Sequence, residues 1–176
     1  MFFCIFCYHQ GEKKEMKIIS GGQTGADRAA LDAAITLGIP HGGWLPRGRK
    51  AEDGQVALHY RLCELASYRY RDRTLKNVEA SDGTLIVSFG PLSGGSALTE
   101  AFCIRSDRPC LHLNMEYTTL EHAVPMVKEW LVRYSIQTLN VAGPRASSDA
   151  RIYETVRELI LKLHASGALD NKQAKR

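Results

Sequence analysis

The residues with the most chemistry in this chain stand together near its start, where Lys17-Ile18-Ile19-Ser20 runs into Gly21, Gly22, Gln23, Thr24, Gly25, Ala26 and Asp27. A short apolar strand, a glycine-rich turn and a following helix present backbone N–H groups to an anion, and the helix N-terminus adds about half a positive charge. A phosphate site is therefore the first expectation. Thr24 and the N–H groups of Gly25 and Ala26 are the expected ligands, with helix capping as the other role open to Thr24. The spacing matches neither the dinucleotide fingerprint, which needs Gly-x-Gly-x-x-Gly, nor the Walker loop, which needs a lysine after its last glycine.

Further candidates follow along the chain. Arg47, Arg49 and Lys50 put three cations in four residues beside Trp44. One of Arg47 and Arg49 could clamp an oxyanion while Trp44 stacks on a heterocycle, or the segment could be a solvated basic loop. Arg73 and Asn77 lie one helical turn apart; Arg73 either contacts the ligand or pairs with Asp82. Gly94, Gly95 and Ser96 form a second anion-binding turn, from which Thr99 could reach back to the same ligand. The histidines at 41, 59, 112 and 122 show no spacing that binds metal, and Cys4-x-x-Cys7 has no second pair, so no protein-ligated metal is expected. Cys63, Cys103 and Cys110 read as core thiols.

These residues need a scaffold, and the periodicity supplies one. Strands are expected over 17–20, 41–45, 83–89, 109–113 and 136–142. Helices are expected over 26–37, 55–66, 74–80, 97–106, 120–134 and 149–166. The alternation gives a parallel α/β sandwich. In such sheets ligands sit beyond the carboxyl ends of the strands, and each glycine-bearing segment here (21–25, 42–48, 90–95 and 143–145) follows a strand, so four loops should share one rim.

Length and composition set limits. The chain has 176 residues, 44% of them hydrophobic, enough for one domain with one core. The net charge of +4 comes half from the last seven residues, so the body is near neutral and a nucleic-acid surface is not indicated. Five cysteines, an odd number without scaffold density, fit a reducing, cytoplasmic setting. Residues 1–15 read as a loosely ordered extension too short for a membrane anchor, 16–167 as the domain, and 168–176 as a basic flexible tail.

Six segments in order resemble the putative molybdenum carrier family: 21–27, 43–54, Arg73-Thr74 with Asn77-Val78, 81–84, Gly94-Gly95 with Leu98-Thr99, and 140–145. The resemblance covers residues 17–160. It implies a Rossmann-like fold with helices on both faces of the parallel sheet, and kinship with lysine decarboxylase-like phosphoribohydrolases and DNA-processing proteins. It also implies a homo-oligomer, such as a tetramer, and a bound molybdenum cofactor or molybdopterin. Molybdopterin suits the residues: a phosphate for a glycine-rich turn, a flat pterin for an apolar wall, and an anionic metal-oxo end for arginines.

The related hydrolases carry Pro-Gly-Gly-x-Gly-Thr-x-x-Glu, whose glutamate assists N-glycosidic cleavage of nucleoside monophosphates. Here the run is Leu92-Ser93-Gly94-Gly95-Ser96-Ala97-Leu98-Thr99-Glu100, and Glu100 comes one residue early. One helical step rotates a side chain by roughly 100°. Binding of a small phosphorylated ligand is therefore expected ahead of catalysis, with Glu100 as the one catalytic candidate.

Overall fold

The computed structural model describes residues 16–169. In chain order the elements are β1 (Lys17–Ile19), α1 (Ala26–Thr36), β2 (His41–Gly42), β3 (Trp44–Leu45), β4 (Lys50–Ala51), β5 (Gly54–Gln55), β6 (Cys63–Glu64), α2 (Tyr70–Glu79), β7 (Gly83–Ser88), α3 (Gly94–Arg105), β8 (Cys110–Asn114), α4 (Leu120–Arg133), β9 (Thr138–Ala142) and α5 (Ile152–Ala165). Five strands form one sheet in the order β2-β1-β9-β7-β8, and every neighbouring pair runs parallel. All carboxyl ends therefore lie on one edge, as the alternating pattern predicts.

The middle of that sheet is apolar on both sides. β7, Gly-Thr-Leu-Ile-Val-Ser, is buried at all six positions, which is how a strand reads when helices cover both faces. One face packs against α1, α4 and α5 around Leu85, Val87, Leu139 and Val141. The other carries α2 and α3, where Val78, Phe102 and Cys103 form a smaller cluster. The fold is a single Rossmann-like α/β domain.

α1 begins after Gly25 and buries a face of small residues, Ala26, Ala29, Ala30, Ala33 and Ala34, all without exposed area. Their size lets α5 and the sheet approach closely. It ends as its sequence directs: Gly38 takes φ +67°, and the N–H groups of Gly38 and Ile39 donate to Ile35 and Ala34. The core also takes in Leu169, 5% exposed, two residues past the expected domain end at 167. Most of the tail expected over 168–176, and the extension expected over 1–15, lie outside the described residues.

Two expected elements differ. The strand expected over 41–45 is broken at Gly43, where φ is +127° and a Cβ would strike the Ser20 carbonyl oxygen. β2 stays in the main sheet, while β3 leaves it to pair with β6. The helix expected over 55–66 is absent: Leu58 is 83% exposed, so its spacing with Leu62 and Leu65 marks no helical face. Instead Leu45, Ala51, Val56, Tyr60 and Leu62 gather on Leu31 as a satellite core. Cys63, expected in the core, is exposed as a result.

Arg49 holds this excursion together. Its guanidinium donates to the carbonyls of Val56 (2.8 Å), Ala57 (2.9 Å), Tyr60 (3.1 Å) and Leu62 (3.3 Å). Hydrogen bonds from a charged donor contribute about 1.5–3 kcal/mol each where both partners are shielded. Allowing for partial exposure, Arg49→Ala lowers stability by about 2 kcal/mol in urea unfolding.

Candidate functional site

Above the carboxyl edge of β1 and β9, between α2 and α3, lies a cleft of about 220 Å³. The end of β9 forms its base with Asn140 to Ala142. α2 contributes Tyr70, Arg71, Arg73 and Asn77, and α3 contributes Gly94 to Ser96 with Thr99. The loops after β1 and β9 add Gly21, Gln23, Asp27 and Gly143 to Arg145. Gly21 and the Gly94–Ser96 turn thus share one cleft, although 73 positions separate Gly21 from Gly94 in sequence.

The β1 loop is organised by an anion of its own. Asp27, in the first turn of α1, turns its carboxylate back over the loop. Oδ2 accepts the Gln23 N–H at 3.2 Å and a hydrogen bond from the Arg73 Nη1 at 2.8 Å. Gly21 leaves room for this arrangement, since a Cβ there would run into the Arg73 guanidinium. Burial pushes the Asp27 carboxyl above its usual range, and Arg73 and the loop amides pull it back only in part.

Other contacts of the β1 loop take up groups that the sequence offers to a phosphate. The Ala26 N–H donates to the Pro144 carbonyl (3.2 Å), and a Cβ on Gly25 would clash with the Pro144–Ala146 backbone. Thr24 does not cap α1; its hydroxyl donates to Glu52 and accepts the Ala146 N–H. Thr24, Gly25, Ala26 and Gly22 therefore knit the β1 loop to its neighbours and do not line the cleft.

The second turn keeps its amides open. Gly94 takes φ +50° at the start of α3, both Gly94 and Gly95 are exposed, and a Cβ on either meets nothing within 4 Å. Their N–H groups have no acceptor among the described residues. Ser96 and Thr99 are buried behind them, with the Thr99 hydroxyl donating to the Gly95 carbonyl at 2.8 Å. A 12-residue helix thus points free donors into a cleft that also holds Arg71, Arg73 and Arg145.

Arg73 answers the question left open by the sequence. It pairs with Asp27 and not with Asp82, whose Oδ2 instead accepts the Gln137 and Thr138 amides at 3.1 and 2.7 Å. The Arg73 Nε is buried without a partner. Asn77 borders the cleft, yet its amide is committed: Oδ1 accepts the Trp44 N–H, and Nδ2 donates to the Trp44 and Arg73 carbonyls. It fastens β3 to α2.

Trp44, Arg47 and Arg49 do not line the cleft. Lys76 lies over the Trp44 ring (5.4 Å), Arg47 over Tyr68 (5.2 Å), and Arg49 is held by its four carbonyls. The aromatic wall is Tyr70, 39% exposed, with the Arg73 guanidinium 5.7 Å from its ring centre. Glu100 is turned away from the cleft, one helical step past Thr99, and its charge is felt by the Cys103 and Cys110 thiols.

Tyr70, Arg71, Asn140 and Arg145 are among the cleft residues that sequence reasoning did not single out. Arg145 had a legible signal, since it follows the glycine-bearing end of β9 on the predicted rim. Tyr70 and Arg71 sit in the alternating aromatic and basic run 68–72, whose placement depends on α2 starting at Tyr70, four residues before the expected boundary.

Residues 18–164 match the family described as the circularly permutated YpsA SLOG family. No curated protein matches the chain. A crystal structure of a putative molybdenum carrier protein from Syntrophus aciditrophicus SB is 51% identical, with a TM-score of 0.83, covering 85% of this chain and 94% of that one. An (E)-4-hydroxy-3-methyl-but-2-enyl diphosphate reductase is also similar, at 13% identity and TM-score 0.38 over 84% of this chain and 59% of that one, too distant to carry an argument. With a match over nearly the whole described domain and the resemblance to the carrier family borne out by that 51% identical structure, this chain belongs to the circularly permutated YpsA SLOG family.

Proposed function

We propose that the protein binds and carries a phosphorylated heterocycle, the molybdenum cofactor or molybdopterin, in the cleft between α2 and α3. One observation carries this reading: the free Gly94 and Gly95 amides and the Arg71, Arg73 and Arg145 side chains all face one cleft. Arg73 is matched by Asp27 and Arg145 by Glu52, so Arg71 and the two amides are the groups left to attract an acidic head-group. The residues fit such a group, because the Arg73 Nε is buried without a partner and the space beside Gly94 and Gly95 is open.

In this reading the phosphate sits on the Gly94–Gly95 amides, Arg71 and Arg145 close over it, and Tyr70 lies along the ring. Arg145 reaches the cleft from a loop anchored by Glu52, 3.6 Å from its guanidinium. The name of the 51% identical relative supports the molybdenum-bearing ligand. Base release from nucleoside monophosphates is disfavoured, since Glu100, its one catalytic candidate, does not line the cleft.

Purified protein incubated with molybdenum cofactor, and separately with nucleoside monophosphates, tests the reading. Retention of the cofactor is expected, weakened about 10-fold by Arg71→Ala or Arg145→Ala and unchanged by Arg49→Ala. Release of free base, lost in Glu100→Gln, would replace the carrier with a hydrolase.

A further inference from the structure

Two side chains in the cleft keep one polar atom each without a partner. Gln23 is 8% exposed and Asn140 2%, and both line the cleft. Two backbone N–H donors fix the Gln23 amide, and the Asn140 amide is oriented toward the Thr84 hydroxyl. The Gln23 Oε1 accepts the Thr24 N–H at 3.0 Å and the Glu52 N–H at 2.9 Å, so its Nε2 is the free end. The Asn140 Nδ2 donates to the Thr84 Oγ1 at 3.2 Å, so its Oδ1 is the free end. Neither free atom has a hydrogen-bond partner among the described residues, and both residues line the cleft.

From this pair we infer that Gln23 and Asn140 determine ring specificity by reading a lactam edge, –NH–C(=O)–, with the Gln23 Nε2 donating to the carbonyl and the Asn140 Oδ1 accepting from the N–H. The inference rests on the cleft being the ligand site. A buried donor or acceptor left without its partner weakens binding about 10-fold or more, so a ring offering both partners is preferred over one lacking either. Pterin and guanine both carry this edge. The acidic head-group is held elsewhere, at Gly94 and Gly95, so the two ends of the ligand are recognised by separate elements.

Equilibrium binding of five probes separates the possibilities: 6-hydroxymethylpterin phosphate, its 3-methyl derivative, guanosine monophosphate, its N1-methyl derivative, and adenosine monophosphate. Methylation of the lactam nitrogen should weaken binding about 10-fold or more, and the tighter of the two parent rings identifies the source. Gln23→Glu keeps an oxygen for the Thr24 and Glu52 amides but replaces the donor with an acceptor. It should weaken the parent ring about 10-fold, and its melting temperature measured beside the wild type separates this from the cost of a buried carboxylate. Asn140→Leu should bring the parent and methylated rings to equal affinity. Equal binding of parent and methylated rings to the wild type, undiminished binding by Gln23→Glu, or adenosine monophosphate binding as tightly as the lactams overturns the inference while leaving the site intact. Failure of all five to bind the wild type removes the site and this reading together.

Discussion

Arg73→Ala lowers the stability of the fold by about 3–5 kcal/mol, because it strands a buried carboxylate. The Asp27 and Arg73 side chains are 9% and 13% exposed and meet at 2.8 Å, and no other cation is hydrogen-bonded to Asp27 among the described residues. The loss depends on pH in a definite direction. Burial raises the folded-state pKa of Asp27 above its unfolded value, so between those two values the folded state binds more protons than the unfolded state. Stability therefore falls as pH rises through that window, and removing Arg73, which pulls the pKa down, widens the window upward. Urea unfolding at pH 5 and pH 8 should show a steeper decline for Arg73→Ala than for the wild type. Adding Asp27→Asn to Arg73→Ala should flatten that decline and recover much of the loss. A variant as stable as the wild type at both pH values would mean that the pair does not organise the loop.

Gly95→Asp is the second large expected effect, and it falls on binding alone. Gly95 has no positive φ, and a Cβ there meets nothing within 4 Å, so the side chain fits without strain. A carboxylate in the first turn of α3 favours the helix by a few tenths of a kcal/mol. It also places a negative charge where the proposed function seats the acidic head-group. Affinity for a phosphorylated pterin is expected to fall by about 100-fold or more, while the melting temperature holds or rises slightly. Titration of the variant beside the wild type checks both halves, and undiminished binding would move the anion away from α3.

The parts of this architecture that depend on local pattern were legible in the sequence. The alanine face of α1, its stop at Gly38 and the unbroken apolar run of β7 are properties of neighbouring residues, and they gave the layered parallel sheet and its rim. The division of labour on the rim was not legible. The Gly21–Asp27 turn has the glycines, hydroxyl and helix start of a phosphate loop, yet Asp27 fills it from within, and the cation that makes this tolerable lies 46 positions away at Arg73. Arg49 has the charge of an oxyanion clamp, but its partners are carbonyls 7 to 13 residues further on, brought to it by a segment whose leucines mimic a helix. Long-range pairing decides which of several plausible cations remains available to a ligand. Arg71, Arg73 and Arg145 emerge only when α2, α3 and the end of β9 are assembled.

The position of a bound phosphate tests the central claim most directly. A crystal of the protein grown with 6-hydroxymethylpterin phosphate should show the phosphate oxygens about 3 Å from the Gly94 and Gly95 amide nitrogens, with the ring between α2 and α3 over Asn140. A phosphate seated on the Gly22–Ala26 amides, or anywhere outside that cleft, would contradict the account.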